Sequence, residues 1–217
     1  MNIAIIGTGN MAQGLGALLA AKHNVTFGSR EPKIARNVAA KLNAAHGGAI
    51  SDAMEAGEAV ILAVPYPAAL ELASLPANEK ALSGKVVIDI SNPLSEDLKS
   101  LVVGHTTSAA EEIARRLSGA RVVKAFNTIF ADVLRAKAAN QAPDVTVFVA
   151  GDDRQAKSQV LDLVSGIGFA SIDAGPLMCA RYLEPLTMLE LQLGYAQGLG
   201  TRMGLRLVGA AAAQARA

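Results

Sequence analysis

Short unbroken apolar runs alternate along the chain with stretches whose apolar residues recur every three or four positions. The first run, Asn2-Ile3-Ala4-Ile5-Ile6, closes at Gly7 and has the form of a parallel strand buried on both faces. From about Asn10, the residues Met11, Leu15, Leu18 and Leu19 share one face of a helix. Val25-Thr26-Phe27 predicts a second strand, and Gly28-Ser29-Arg30 a turn after it. Pro32 then sits at a first helical position, with Ile34, Val38 and Leu42 as the buried stripe. A short strand is expected around Ala49-Ile50. Ala59 to Val64 is the strongest strand signal, ended by Pro65 and Pro67. Lys85 to Ile90 follows, stopped by Ser91-Asn92-Pro93. Ser108-Ala109-Ala110-Glu111 has the form of a capping box, which predicts a helix to about Leu117.

Arg121 to Lys124 reads as a strand that opens into Ala125-Phe126-Asn127-Thr128, and Val145 to Ala150 as another. Asp152 and Gln155 can cap the next helix, whose Ala156, Val160, Leu163 and Val164 share a face. Phe169 to Ile172 is a last short strand. Leu177 to Val208 is helical in propensity but apolar on most sides, with Gly194, Gly198, Gly200 and Gly204 inside it. Such a helix has to be buried, and its glycines point to close approach by backbone or ligand. The Ala-rich tail from Ala210 is expected to fray. Strands alternating with helices define an α/β fold, a doubly wound and mostly parallel sheet. The division expected is residues 1–173 for that sheet and 174–217 for a C-terminal helical segment.

The 217 residues are 51% apolar and 18% charged, enough for a core and unlike a disordered chain. Twenty basic residues against 19 acidic ones argue against a nucleic-acid partner. Aromatics at 4% and the absence of Trp argue against stacking platforms. One Cys excludes an intrachain disulfide and fits the reducing cytoplasm. No signal pattern precedes the first strand, and its apolar stretch is too short to span a bilayer.

Gly7-Thr8-Gly9-Asn10-Met11-Ala12 is G-x-G-x-x-A, placed between a predicted strand and a predicted helix. In that context it reads as a phosphate cradle. Gly7 permits the turn, Gly9 admits a pyrophosphate close to backbone, and Ala12 lets helix and strand pack. An NAD site places a carboxylate at the end of the second strand; here stand Ser29 and Arg30. Ser29 can donate to a 2′-phosphate and Arg30 can pair with it, while Lys33 lies one turn on. That selects NADP, with Glu31 keeping a bifunctional site as the alternative. Further contacts are expected at strand ends: Val64-Pro65-Tyr66, Ser91-Asn92-Pro93 and Ala125-Phe126-Asn127. Asn92 and Asn127 could hold a ribose or carboxamide, or cap their own loops; Tyr66 is balanced between site and structure.

Catalytic side chains are sparse. His23, His46 and His105 lack metal-like spacing, and His23 follows a helix, where a histidine stabilises the C-terminus. Cys179 reads as a buried structural thiol, and Asp152-Asp153 as helix caps rather than a cation site. No catalytic residue is assigned and no metal is expected. That pattern fits hydride transfer between two rings, in which the protein supplies proximity and orientation.

Five segments then occur in order: Gly7-Thr8-Gly9-Asn10-Met11, Gly28-Ser29-Arg30, Lys124-Ala125-Phe126-Asn127-Thr128, Gly151-Asp152-Asp153 and Asp173-Ala174-Gly175-Pro176-Leu177. Together they resemble the NADPH-dependent reductases of the deazaflavin coenzyme F-420. They are similar also to the cytosolic domain of the six-transmembrane epithelial antigen metalloreductases. The resemblance implies a Rossmann-type domain binding NADP(H), a small C-terminal part helping to form a second pocket, and a homodimer. It implies that Thr8 to Met11 hold phosphates and that Ser29 and Arg30 hold the 2′-phosphate. Lys33 stands one residue nearer Arg30 than the family's basic position. Deazaflavin, FMN or FAD is the implied acceptor, with Leu177, Met178 and the Gly-rich helices walling its pocket or else forming only dimer core. Two other readings stay open: an imine reductase of the pyrroline-5-carboxylate type, and a catalytically silent NADP(H) sensor.

Overall fold

Alternate residues of the first strand, β1 (Asn2–Ile6), face opposite sides of a sheet that is covered on both. Ile3 and Ile5 enter a core layer with helices α1 (Asn10–Leu19), α2 (Pro32–Ala40), α7 (Ala131–Ala138) and α8 (Arg154–Gly166). Ala4 and Ile6 enter the opposite layer with α3 (Ile50–Ala56), α4 (Tyr66–Ala73), α5 (Pro76–Leu82), α6 (Ala109–Arg116) and the start of α9 (Ala180–Leu191). The computed structural model describes residues 1–42 and 45–209. The tail from Ala210, expected to fray, lies outside the described residues.

The remaining strands are β2 (Asn24–Ser29), β3 (Ala45–Ala49), β4 (Ala59–Leu62), β5 (Val86–Asp89), β6 (Arg121–Lys124), β7 (Thr146–Gly151) and β8 (Ala170–Gly175). They form one sheet in the order β3-β2-β1-β4-β5-β6-β7-β8. Every pairing is parallel except β6 with β7, where Val123 faces Gly151 and Lys124 faces Ala150. The strand order reverses between β1 and β4, and ligands of open α/β sheets collect at such a point.

The expected α/β doubly wound sheet is therefore present, with local differences. The third strand lies at Ala45–Ala49, and Ile50 begins a helix instead of ending a strand. Ile34 is exposed on α2, whose buried side is carried by Ala35, Val38 and Ala39. Asp153, not Asp152, caps α8 by accepting from Ala156 N at 2.7 Å. Asp152 instead accepts from Leu177 N at 2.8 Å, across the sheet edge.

The long C-terminal helix is replaced by a 3₁₀ turn at Leu177–Cys179, α9, a π turn at Gln192–Ala196 and an extended segment. Gly198 and Gly200 take left-handed φ of +71° and +78°, closing the helix end with bonds from Leu199 N to Leu193 O and Gly200 N to Gly194 O. The close approach expected at the C-terminal glycines is found at Gly194, where a Cβ would stand 3.0 Å from Gly200 O, and at Gly204, 2.8 Å from Val145 Cγ1, but not at Gly198 or Gly200, where a Cβ would meet nothing within 4 Å. The extended segment then runs beside β7, with Thr146 N donating to Leu205 O at 2.8 Å.

A buried ionic cluster fastens α9 to the sheet. Lys124 Nζ lies 2.7 Å from Asp89 Oδ2 and 2.8 Å from Glu184 Oε1, and none of the three side chains is more than 1% exposed. Glu184 also accepts from the N–H groups of Ala109 and Ala110 at the head of α6. Burial acts to lower the Lys124 pKa, but Asp89 and Glu184 outweigh it and hold the ammonium charged. Burial pushes Glu184 up, against the pull of Lys124.

Candidate functional site

The tip of α1 is built to receive an anion. Gly7 has φ +121°, and a Cβ there would stand 2.3 Å from Ala63 O, so the turn excludes any side chain. At Gly9, which begins the helix from an extended backbone, a Cβ would meet nothing within 4 Å; the space above it is open. No side chain caps α1 and no acid stands in its first turn. Its first N–H groups and the positive end of its dipole therefore face the opening. Gln13 Nε2 braces the loop by donating to Thr8 O at 2.9 Å.

A cavity of about 500 Å³ opens from this cradle. Gly7, Thr8, Gly9, Ser29, Arg30, Val64 and Pro65, all candidates from the sequence, line it. Ser29 Oγ accepts from Glu31 N at 3.2 Å, which leaves its hydroxyl hydrogen available to donate. Arg30 is exposed, and no ion pair among the described residues involves it. Lys33 is exposed on α2 and does not line the cavity. The rest of the wall was not anticipated: Ile50, Ala68, Leu72 and Leu75 make an apolar slot, with Ser51, Glu71 and Asn78 at its edges. A planar base fits such a slot. Its signal was hidden because Ile50 looked like the end of a strand.

A second cavity, about 180 Å³, lies along the same edge of the sheet. Met11 at the head of α1, Asn92 beyond β5 and Asn127 beyond β6 line it with Thr128, Thr187 and Glu190. Phe126 is fully buried with φ +60°, a conformation disfavoured for a bulky residue; it turns the chain from β6 toward α9. Asn127 is locked there. Its Nδ2 donates to Leu183 O at 2.8 Å and lies 3.1 Å from both Asn92 Oδ1 and Thr187 Oγ1, and Asn92 Nδ2 donates to Asn127 O at 3.0 Å. Asn127 Oδ1 is buried without a partner.

Five expected site residues line neither cavity: Asn10, Lys33, Tyr66, Pro93 and Ala125. Tyr66 is buried, and burial raises its hydroxyl pKa, with Glu112 on α6 adding to the rise; its ring serves the contact between α4 and α6. Leu177 is core and Met178 is surface, and neither reaches a cavity. Cys179 is half-buried. His23 has a lowered pKa from burial, the chain's amino terminus and Lys22, so it is a neutral neighbour of α1 rather than a charged cap.

Glu190 is the residue that the sequence reading passed over. It is 2% exposed and lines the second cavity, and its Oε1 has no partner. Burial alone pushes its pKa up to about 8. A signal existed: Leu183, Thr187 and Glu190 share one stripe of α9, and an acid on a stripe that buries leucine is out of place on a surface.

A glycine cradle in the first βαβ unit of a doubly wound sheet, with an exposed guanidinium at the exit of β2, defines a dinucleotide-binding protein of the Rossmann class. Residues 2–93 match the family model described as NADP oxidoreductase, coenzyme F420-dependent. The F420-dependent NADP reductase of Methanocaldococcus jannaschii is 31% identical, over 94% of this chain and 98% of its own length. The chain belongs to this family of F420-dependent NADP oxidoreductases. A solved structure from Arthrobacter sp. FB24, assigned to the same activity, superposes with a TM-score of 0.81 at 31% identity, covering 95% of this chain and 98% of that one. The metalloreductase STEAP3 of Rattus norvegicus is 32% identical over 86% of this chain but only 37% of its own length. An imine reductase from Myxococcus stipitatus shares the fold alone, at 16% identity and a TM-score of 0.64, over 88% of this chain and 60% of that one. Among the described residues, no helix is long and apolar enough to cross a membrane.

Proposed function

We propose that this NADP-dependent oxidoreductase moves a hydride between NADPH and the deazaflavin coenzyme F420. One observation carries the reading. The cradle leaves open space where any Cβ on Gly9 would stand, and among the described residues Arg30 beside it has no acidic partner. Both features suit a dinucleotide with an additional phosphate. The N–H groups of Gly9 to Met11 receive the pyrophosphate, Ser29 and Arg30 the 2′-phosphate, and Ile50 with Leu72 the adenine. Met11, Asn92 and Asn127 stand around the nicotinamide end. Bound there, the cofactor supplies the hydride, and the protein supplies alignment and a water-poor wall.

Charged hydrogen bonds are each worth about 1.5–3 kcal/mol. Arg30→Ala is therefore expected to weaken NADPH by about tenfold to over a hundredfold and to leave NADH nearly unchanged. Equal losses for both cofactors would overturn the assignment. Stopped-flow oxidation of bound NADPH by F420, FMN or FAD identifies the acceptor; oxidation by none would favour a silent sensor.

Residues 174–217 form the unit that completes the acceptor end and pairs two subunits in the cytoplasm. Tyr182, Leu189, Tyr195 and Leu199, all more than half exposed, support a subunit contact on this segment. Light scattering of the purified protein at micromolar concentration tests it, and a monomer would refute it. A second reading is favoured by Glu190 alone. Imine reduction needs a proton donor beside the hydride, and turnover of pyrroline-5-carboxylate with NADPH would establish it.

A further inference from the structure

Two residues that line the second cavity each carry a side-chain oxygen with no hydrogen-bond partner among the described residues. Glu190 Oε1 and Asn127 Oδ1 are each buried without a hydrogen-bond partner, and both residues line the cavity with Met11, Thr128 and Thr187. Buried polar atoms are almost always paired, and a small rotation of either side chain into the cavity offers its oxygen to a ligand group. The cavity also lies where the first one leads. A dinucleotide with its adenosine beside Arg30 and its phosphates over Gly9 passes Met11 and brings its other ring to the ends of β5 and β6.

Several charged groups on α9 and its neighbouring elements are engaged with one another or with nearby polar groups. Lys124 pairs with Asp89 and Glu184, Arg181 with Glu111, and Asp132 with Arg135 and Thr201. Lining residues Met11 of α1, Ile90, Asn92 and Leu94 after β5, and Asn127 to Ala131 after β6 carry no charge. Burial is the sole cause of the rise in the Glu190 pKa to about 8, so near neutral pH the side chain is a carboxylic acid. As an acid, Glu190 offers an O–H donor while Asn127 Oδ1 offers an acceptor. That pair complements a primary carboxamide, whose carbonyl accepts and whose N–H donates.

We propose that Glu190 is a proton-linked reader of the nicotinamide's oxidation state, neutral against the uncharged ring of NADPH and ionised against the cationic ring of NADP⁺. The proposal rests on the NADP(H) reading above. An opposite charge within about 4–6 Å lowers a carboxyl pKa by about 1–3 units. A fall of about 2 units from the free value raises the ionised fraction at pH 7 from about one tenth to about nine tenths. The exchange balances. The hydride leaves the dihydronicotinamide with its bonding pair and reduces the acceptor ring, which takes its own proton from water. The Glu190 O–H bond breaks, its proton goes to water, and the carboxylate is reprotonated from water once NADP⁺ departs. The affinity of NADP⁺ relative to NADPH then climbs with pH, by about tenfold per unit between the lowered and the free pKa.

Isothermal titration calorimetry at pH 7, in two buffers of different ionisation enthalpy, tests this without catalysis. The ligands are NADP⁺, NADPH and 2′,5′-ADP, which lacks the nicotinamide. NADP⁺ should release about 0.8 proton more than NADPH, 2′,5′-ADP should match NADPH, and Glu190→Gln should erase the difference. Carboxyl ¹³C NMR of the wild-type protein reads the same event directly. Glu190 should titrate about 2 units lower with NADP⁺ than with NADPH, and this measurement decides alone if E190Q fails to fold. Equal proton release by the two cofactors, or an excess that persists in E190Q, overturns the proposal while the cofactor reading stands. If 2′,5′-ADP does not bind at all, the cofactor reading fails and takes the proposal with it.

Discussion

Lys124 is the cation on which a buried anionic pair depends, and replacing it with Met exposes that dependence. In Lys124→Met the apolar stem survives, but Asp89 and Glu184, both at most 1% exposed, lose the ammonium within 2.8 Å of each. Some compensation remains. Asp89 still accepts from Ser91 N at 2.9 Å, and Glu184 from Ala109 N at 2.9 Å. Removing one partner of a buried pair costs about 3–5 kcal/mol, a large part of a total stability of about 5–15 kcal/mol. With a urea slope near the top of the usual range, about 3 kcal/mol per molar, the midpoint should fall by about 1–1.7 M. Glu184 gives the pH signature. Burial already raises its pKa and Lys124 opposes the rise; without Lys124 the carboxyl climbs further. A carboxyl whose folded pKa lies above its unfolded value binds protons better in the folded state, so stability is greatest in acid and is lost as pH rises through the folded value. The deficit of the variant should therefore narrow from pH 8 to pH 5.5. Urea unfolding followed by circular dichroism at the two pH values measures it. A variant within about 1 kcal/mol of wild type at pH 8, a difference typical of surface substitutions rather than broken buried pairs, would refute the reasoning. So would a deficit that does not change with pH.

Other consequences are simpler to read. The folded pKa of Glu190, about 8 against an ordinary 4.5, means that the folded protein holds an extra proton across that window. Stability should fall by about 3–4 kcal/mol between pH 5 and pH 8 from this group alone, and a urea series on Glu190→Gln should show that slope removed. Gly7→Ala should fail to fold or melt far below wild type, because its Cβ would stand 2.3 Å from Ala63 O. Gly9→Ala, with open space at the same atom, should melt like wild type yet bind NADPH about tenfold or more weakly, since the methyl occupies the phosphate's place. Tyr66→Phe should leave NADPH affinity unchanged in a fluorescence titration, because Tyr66 lines neither cavity.

What could be read in advance follows from how each part is built. Strands β1, β4 and β5 are buried on both faces, so each needs an unbroken apolar run, and the runs were visible. The cradle was visible because it is contiguous: a turn, an open backbone and a helix tip within six residues. Strand β3 was misplaced because His46-Gly47-Gly48 has no apolar signature. Gly47 is required there by a distant neighbour, since a Cβ would stand 2.4 Å from the Ala35 backbone. The C-terminal helix was overextended for the same kind of reason. Its sequence favours helix locally, and what stops it is the pairing of Leu205 and Leu207 with Thr146 on another element.

The two halves of the site differ in this respect, and the difference is physical. The phosphate half uses backbone N–H groups and absent side chains, whose placement is decided by φ, ψ and local spacing. The other half uses side-chain polar atoms gathered from α1, the exits of β5 and β6, and α9, which meet only after the chain has closed. Glu184 and Glu190 look in sequence like solvated acids that merely interrupt an apolar helix. Glu184 becomes structural only because Lys124, sixty residues earlier, arrives beside it. Glu190 becomes chemically poised only because no such cation arrives. The same helix thus carries one acid that is neutralised by the fold and one that is not, separated by less than two turns. A ligand charge appearing in the second cavity has only the unpaired one left to answer it.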